Sequence, residues 1–501
     1  MSSPTFGIEI TRLDNEPRPA VKADMAVIGL VGTAPGANPE QYPLNDPVLV
    51  FSDDPVAIAA LGPTGSLAGQ LELINAQLGD FQRSARVVIV RADPGVDAAA
   101  LMTALVGNSA LKTGIHALRA AGPKLGVVPR LIGVPGYTHQ QESGVAAVNI
   151  TAPGTGFTVG AALTATGGGG TGFAATVASV DGTGGITGLN ITNGGKNFVT
   201  APTIAAAGGT GATFVAVVGK LANPIVAALP SLCSALLAHA VITGPHSTLQ
   251  GYTDWRETIQ SDRLIPVESW IKVGASATLM DSVGAVLGIG VRRDHEKGGR
   301  PFHSWANQPV QGIVGPGRNI DFSLTDGSTE GQSILALNGG VILRGEAGVE
   351  TAIASGGFVF VGTDTAGEDD LWRFYNVTRG RDFIHLMFLR TLRFYLGRFN
   401  INGQTIEAIR NTMVSALRDL QAEGDILGYK VSFERDQNSP ENLRMGKFTV
   451  NFAAEEAPVL RQLGVRSSRY RPALDALLDN LIAQLDIAPN GRGDPPHPHT
   501  T

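Results

Sequence analysis

Hydrophobic residues change their spacing along the first 143 positions of the chain. Within residues 1–20, Phe6, Ile8 and Ile10 alternate with small or polar residues, a period of two that predicts a half-buried strand. Prolines at positions 17 and 19 end this segment, so we expect a terminal arm whose strand joins a sheet elsewhere. From residue 21 to residue 143, short apolar runs alternate with helical patterns. This alternation favours a mostly parallel sheet.

The composition changes sharply over residues 144–219, which contain 19 glycines and only two charged residues. An Asn-Ile-Thr tripeptide occurs at 149–151 and again at 190–192, an offset of 41 residues, and Phe157 and Phe198 lie at equivalent places after it. A Gly-Gly-Thr-Gly sequence follows each copy. The pattern predicts an inserted all-β domain built from two copies of a unit of about 40 residues.

The α/β pattern resumes over residues 220–360, and residues 361–488 are expected to form a separate C-terminal domain. There, apolar residues at helical spacing precede Gly424, and two alternating strands joined by a polar loop predict a hairpin. A leucine stripe then predicts an amphipathic helix beginning at Pro472, which we expect to pack in a core, with docking onto a partner as the alternative. The composition of residues 489–501 is typical of a disordered tail.

Together these segments predict an α/β (α+β) multidomain protein with mixed or parallel-sheet core domains and a glycine-rich all-β insertion. The 501 residues are 43% hydrophobic with a net charge of −6 and no long basic run, which favours a large core and argues against a nucleic-acid partner. The single cysteine, Cys233, excludes an internal disulfide and a cysteine-based zinc site. Because no signal peptide and no membrane-length apolar run is found, we expect synthesis in a cytoplasm and no membrane insertion.

Motifs of enzyme chemistry do not occur in the sequence. No phosphate-binding loop and no HExxH pattern is present, and the nine histidines are scattered. The sequence Gly154-Thr155-Gly156 lacks the third glycine of a dinucleotide site, because residue 159 is valine. We therefore expect no catalytic residue, no cofactor and no metal, and a protein that is not an enzyme. A glycine-rich adhesin with an attached α/β enzyme domain is the alternative, which a signal peptide or a catalytic cluster would support.

Arginines concentrate in two stretches of an otherwise acidic chain. Six of them lie between Arg373 and Arg398, and a second group precedes the last predicted helix, at Arg461, Arg466, Arg469 and Arg471. Two interpretations are open: these arginines pair with acids of neighbouring domains and cap helices, or they form a basic face that meets an acidic partner.

Several stretches together resemble the tail sheath proteins of contractile bacteriophages and related contractile injection machines. The N-terminal PTFGIEI, then RPA and DMAVIGLVGTAPG, is similar to the opening of that family. DSVGAVLGIGVRRDHEKGGRPFHSWANQPVQGIVG resembles its central signature, LALNGGVILRG its next segment, and DLWRFYNVTRGRDFIHLMFLRTLRFYLGRFN its C-terminal core. The resemblance covers about residues 4–143 and 222–487 and leaves out the insertion at 144–219, where family members carry variable outer domains.

This resemblance implies a structural subunit that polymerises as an extended helical sheath around a tail tube and contracts to drive the tube through the host envelope for genome ejection. It implies strand exchange between subunits, carried by Phe6, Ile8 and Ile10 of the arm and by Val431, Phe433, Phe448, Val450 and Phe452 of the hairpin. For a C-terminal arm, the stretch around 455–463 and the tail after residue 485 are both candidates. The insertion is expected to face outward.

The implied partners are further copies of the chain, the tail tube protein, the baseplate and the tail terminator, with no direct nucleic-acid contact. The residues expected to face the tube are Arg379, Arg381, Arg466, Arg469 and Arg471. The implied location is the tail sheath of the virion, assembled in the host cytoplasm. The alternative within the family is the sheath of a tailocin or another non-viral contractile injection system.

Overall fold

The computed structural model describes residues 24–79 and 84–486. The predicted arm strand with Phe6, Ile8 and Ile10, and the predicted disordered tail at 489–501, lie outside these residues. The chain divides into two compact units, one ending at Val459 and one beginning at Leu460. The first unit contains nearly all the helices and strands.

The first segment forms most of the central sheet and contributes helices to both of its faces. Its elements are β1 (Ile28–Gly32), β2 (Pro47–Phe51), α1 (Pro55–Ala60), α2 (Ala68–Leu78), β3 (Arg86–Arg91), α3 (Ala98–Val106), a 3₁₀ segment (Gly114–Ala120), α4 (Ala121–Leu125) and β4 (Leu131–Gly133). Asp54 and Asp97 begin α1 and α3 by accepting hydrogen bonds from the first backbone N–H groups of these helices.

The glycine-rich segment folds entirely into strands. They are β5 (Ser143–Thr155), β6 (Ala162–Thr166), β7 (Thr171–Val180), β8 (Ile186–Lys196), β9 (Thr203–Ala206) and β10 (Thr210–Lys220). Strand β5 pairs with β10, and the other four form a sheet in the order β8-β7-β6-β9. Leu163 of β6 and two side chains of the connections, Phe157 and Phe198, belong to a hydrophobic cluster made only of residues of this segment.

The chain then returns to the central sheet and adds two small antiparallel sheets. The elements are α5 (Pro224–Leu236), β11 (His239–Thr243), α6 (Leu249–Arg256), β12 (Leu264–Val267), β13 (Trp270–Val273), β14 (Thr278–Asp281), α7 (Val283–Glu296), β15 (Gln308–Pro309), β16 (Gly315–Pro316), α8 (Glu330–Ala336), β17 (Val341–Arg344) and β18 (Phe358–Val361). The small sheets have the orders β14-β13-β16 and β15-β18-β17.

The central sheet has the order β12-β11-β4-β1-β3-β2, and every neighbouring pair is parallel except β2 with β3. Both faces are covered: Ile28 and Leu30 of β1 lie in the cluster that contains α2 and α7, while Val31 lies in the cluster that contains α3, α5 and α6. Since neither face meets water, the strands are continuous apolar runs rather than alternating ones. The predicted mostly parallel sheet is confirmed.

The C-terminal part of the first unit consists of two long helices and a hairpin. A 3₁₀ segment (Asp370–Trp372) leads into α9 (Tyr375–Leu392), α10 (Gly403–Ala422), β19 (Ile426–Ser432), α11 (Pro440–Arg444) and β20 (Asn451–Glu456). The expected polar loop of the hairpin contains the short helix α11, and the second strand begins at Asn451. The second unit contains α12 (Pro472–Asp486), which begins at the predicted proline. Among the described residues, no helix combines the length and apolarity needed to cross a bilayer.

Candidate assembly surface

The place where open α/β sheets usually bind ligands is filled by side chains of the protein itself. Such ligands lie beyond the carboxyl ends of the strands, where the connections change direction, here between β1 and β4. The Thr33 hydroxyl and the Tyr137 hydroxyl lie 2.9 Å apart across this point. Asp281 accepts hydrogen bonds from the Gly136 N–H at 2.6 Å and the Thr243 hydroxyl at 2.7 Å, and burial raises the pKa of this aspartate. These contacts make the crevice part of the core.

Gly154, which resembled part of a dinucleotide motif, has a structural role. Its φ is +64°, and a Cβ atom at this position would meet the Ala212 backbone nitrogen at 2.5 Å. The glycine therefore permits close approach of β10 to β5. Within the described residues, no group of three or more His, Cys, Asp or Glu side chains has the geometry of a metal site.

The hairpin of β19 and β20 presents open strand edges. The two strands pair antiparallel, with Val431 opposite Phe452, and no third strand of the described chain joins them. Backbone N–H and C=O groups along an outer edge form a ready template for another strand. The hairpin is therefore the part of the described chain best suited to accept a strand from elsewhere.

The predicted hairpin residues divide between its inner face and its open end. Val431, Val450 and Phe452 pack against the cluster formed by α9 and α10, and the Phe452 ring lies edge-on to Phe388 with centroids 5.1 Å apart. Phe433 and Phe448 lie beyond the ends of the strands, where their rings are 5.4 Å apart. The first group anchors the hairpin, while Phe433 remains partly exposed at its tip.

Arg379 is not on the surface. Its guanidinium makes two hydrogen bonds to Asp294, of 3.1 and 2.6 Å, and lies 5.0 Å above the Trp305 ring, and the side chain is fully buried. Burial raises the pKa of Asp294, and Arg379 opposes that rise. The prediction that Arg379 faces a tube is wrong, because the residue joins α9 to α7 inside the protomer. Both Asp294 and Trp305 lie within the central signature, so the sequence contained the partners without revealing the contact.

Arg381 holds the hairpin against α9. It makes two hydrogen bonds to Glu456 of β20, of 2.7 and 2.8 Å, and one to the Ala454 carbonyl at 2.7 Å. Its guanidinium also lies 5.0 Å from the Trp372 ring centroid. Arg373 is likewise paired with an acid, since its Nε lies 3.0 Å from Asp364. For these arginines the pairing interpretation accounts for the observed contacts.

Further links that the sequence did not reveal attach the C-terminal helices to the core. Arg263 contacts the buried Asp382 of α9, and Arg300 lies 2.6 Å from the buried Asp425 that precedes β19. The Asn376 amide donates to the carbonyls of Phe302 and Ala457 at 3.0 and 3.2 Å. Arginine–carboxylate pairs with both partners largely desolvated fix geometry strongly, so the hairpin is held in a defined orientation.

In the second unit, the described residues are exposed. Arg466, Arg469 and Arg471 are exposed side chains in the segment before α12. The stripe of α12 is also exposed, with 47% to 74% of each side chain accessible; we call it the α12 stripe, and it consists of Leu474, Leu477, Leu478, Leu481, Ile482 and Leu485. The expectation that this stripe packs in a core of the chain is wrong, because these side chains remain open to solvent.

The comparisons with known proteins agree on one class. No family model matches the chain. The tail sheath protein of Escherichia phage P2 is 22% identical over 500 residues, covering 97% of this chain and 100% of that protein. The major tail sheath protein of Serratia phage KSP20 is 37% identical over 124 residues, which are 24% of this chain and 30% of the relative. Both relatives are named for a structural role.

A solved structure of the same fold is the sheath complex of PVC, an extracellular contractile injection system, in its contracted state. It covers 94% of this chain and 99% of its own, with a TM-score of 0.56 and 12% identity. The fold is therefore that of the subunits of contractile sheaths. Together with the named relatives, it confirms the resemblance to the contractile tail sheath proteins.

Proposed function

We propose that this chain is the structural subunit of the contractile tail sheath of a bacteriophage. The observation that carries the proposal is the alignment with the phage P2 sheath protein, which covers 97% of this chain and all of that protein. Subunits polymerise around the tail tube as a metastable extended helix. Contraction then drives the tube through the host envelope for genome ejection.

A non-viral particle is the second candidate. The specific observation in its favour is the shared fold with an extracellular injection-system sheath over 94% of the chain. A tailocin or other injection system would use the same subunit without a genome. Neighbouring genes for a capsid and a terminase would identify the phage version.

The subunits are linked by strand exchange. The arm strand of one copy, with Phe6, Ile8 and Ile10, adds to an open edge of the hairpin of another copy, as in β-augmentation. The two-stranded sheet of β19 and β20, held by Arg381 and Asn376, supports this proposal because it offers free edges in a fixed orientation. A C-terminal arm, formed around 455–463 or by the tail after residue 485, would provide a second link. The lattice then stays connected while its subunits move.

Residues 144–219 form an outward-facing inserted domain of two repeats. Three buried pairs support the repeat at the offset of 41 residues seen in the sequence: Val145 with Ile186, Phe157 with Phe198, and Leu163 with Ile204. The strand pairing is reciprocal, since β5 of the first copy pairs with β10 of the second while β8 of the second pairs with β7 of the first. Each copy therefore completes the other, and neither would close its core alone.

The exposed arginines of the second unit contact the tail tube. Arg466, Arg469 and Arg471 are accessible and concentrate positive charge, which suits an acidic tube surface. Arg381 contributes less, because Glu456 already neutralises it. The baseplate and the tail terminator contact the two ends of the sheath. The particle assembles in the host cytoplasm, and the chain needs no direct contact with nucleic acid, no cofactor and no membrane insertion.

The energy of contraction comes from assembly. Head-to-tail contacts that do not close generate an open helix, and two packings of the same subunit can differ in free energy. The extended lattice is the less stable packing and is held until the baseplate releases it. Ion pairs such as Arg379–Asp294 hold α9 against α7 within the first unit of each subunit through this change.

Negative-stain electron microscopy of the chain expressed alone tests the proposal. Without a tube to template the extended state, we expect long hollow helical tubes in the contracted packing. Deletion of residues 1–20 should abolish these tubes. A soluble monomer that forms no tubes at high concentration, even with tube protein added, would contradict the proposal.

A further inference from the structure

Two exposed apolar surfaces of this chain carry opposite charge. The first is the α12 stripe of the second unit. The second lies where α9 turns into α10, at residues 389–401, and we call it the α9–α10 corner. Exposed apolar patches flanked by charge usually mark surfaces that bind another protein.

The α12 stripe is flanked by acids on one side only. At 100° per residue, Asp475 and Asp479 fall next to one another along one edge of the stripe, and the helix contains no basic residue. The opposite edge carries uncharged residues such as Asn480 and Gln484. The helix therefore offers a partner an apolar band with a row of negative charge beside it.

The α9–α10 corner has the complementary composition. Leu389, Leu396, Phe399 and Ile401 are exposed, with 78% of Leu396 accessible. The rings of Phe394 and Phe399 contact each other with their centroids 5.4 Å apart and their planes tilted, so aromatic side chains form part of this apolar surface. Its charged side chains are all basic, at Arg390, Arg393 and Arg398, and no acid occurs between residues 383 and 406.

We propose that the α12 helix of one copy docks on the α9–α10 corner of a second copy of this chain. The apolar stripe would cover the exposed leucines and phenylalanine, and the aspartate row would face the arginines, in the manner of an amphipathic helix on an apolar surface. This contact rests on the proposed function, because a helical lattice brings the same two surfaces of neighbouring copies together repeatedly.

The segment before α12 has the length that such a contact needs. Residues 457–471 contain neither helix nor strand and are almost all exposed. Fifteen extended residues span up to roughly 50 Å, more than twice the radius of gyration expected for a domain of this size, which is about 22 Å. The docking helix would therefore be tethered to its own subunit while it binds its neighbour, which raises the effective concentration of each contact.

Engineered cysteines on two separate chains test the docking directly. One chain carries Leu396→Cys with an affinity tag, and the other carries Leu481→Cys without a tag. The native Cys233 is fully buried and its pKa is raised to about 12 by burial, so it does not compete for oxidation. After mixing and mild oxidation, we expect a disulfide-linked pair of one tagged and one untagged chain.

Ala476→Cys on the opposite face of the same helix is the matched control and should give far less of this product. Equal yields from positions 476 and 481, or no mixed product, would overturn the inference. The inference would also be overturned if a chain carrying both Leu396→Cys and Leu481→Cys formed its disulfide only within one chain. If the unmodified chain forms no tubes, the proposed function fails, while the cross-link in concentrated solution still decides the docking.

A charge exchange provides the second measurement. Asp479→Arg alone and Arg393→Glu alone should each raise the concentration needed for tube formation by about tenfold, equivalent to roughly 1.4 kcal/mol. The two changes in one chain should restore most of the loss, because the ion pair reforms with reversed sign. If Arg393→Glu leaves tubes of the chain alone intact and blocks only assembly on tube protein, the corner belongs to the tube and the inference is wrong.

Discussion

Arginines of this chain play different parts according to their burial. Arg379 and Arg381 lie two positions apart on α9, yet the first is enclosed with Asp294 and Trp305 while the second clamps β20 at the surface. Arg466 and Arg469, with the same side chain, are exposed. A guanidinium fully desolvated beside one carboxylate fixes orientation, whereas an exposed one contributes little to folding and is available to a partner.

The pair of Arg379 and Asp294 should be essential to the stability of the subunit. Arg379→Gln leaves a buried carboxylate without its charge partner, so we expect a loss of about 3–5 kcal/mol in the free energy of unfolding. Arg466→Gln makes the same exchange at an exposed site and should change that free energy by less than about 0.5 kcal/mol. Urea denaturation of both variants measures the difference, and equal stability of the two would refute the buried role.

His303 should make the protein less stable in mild acid. Burial, together with Lys297, Arg293 and Arg300, lowers its pKa to about 4, although Asp425 lies 4.0 Å away on the other side. The folded state therefore binds the proton more weakly than the unfolded state, and stability is lost as pH falls from about 6.5 towards 4. We expect His303→Gln to lose less Tm between pH 7 and pH 5 than the unchanged protein does. If the Tm values of the variant and of the unchanged protein fall equally with pH, His303 does not contribute to the loss of stability in acid.

At the scale of elements, sequence patterns predicted the structure correctly where the local sequence alone determines the helix or strand. The central strands, the all-β nature of residues 144–219 and the start of α12 at Pro472 follow from continuous apolar runs, glycine content and helical spacing. The patterns failed where the cause was a distant partner. Arg300 meets Asp425 and Arg379 meets Asp294 across more than 80 residues, and no spacing rule reports such a contact.

The proposed donor strand gives a prediction at this scale. If Phe6, Ile8 and Ile10 share the face that packs in the neighbouring sheet, Ile8→Asp places a charge in that interface and should prevent tube formation. Thr5→Asp introduces the same charge on the alternate face and should be tolerated. Electron microscopy of both variants at equal concentration is the readout. Tubes from Ile8→Asp would place the linkage elsewhere in the chain.

At the scale of the whole molecule, the elements that make the subunit rigid differ from those proposed to link it to other copies. The core and the C-terminal helices are joined by several buried or half-buried ion pairs, so they move together. The elements proposed to reach other copies lie towards the two ends of the chain: the arm, the hairpin edges and α12. A lattice of stiff bodies joined by such links can change its packing without unfolding its subunits.

The insertion should be removable without loss of assembly. Ser143 and Lys220 are direct partners in the ladder of β5 and β10, so the two ends of the segment lie side by side. Replacing residues 144–219 with a short Gly-Ser linker therefore leaves no gap for the core to span, and the hydrophobic cluster that is lost consists only of residues of the insertion. We expect tubes of the shortened chain with a smaller outer diameter and an unchanged inner diameter, measured by electron microscopy.

Phe198→Ala in the intact chain is the contrasting variant: it should destabilise the insertion by about 3–5 kcal/mol and still allow tubes. Failure of the shortened but folded chain to form tubes would mean that the insertion takes part in the lattice rather than decorating it.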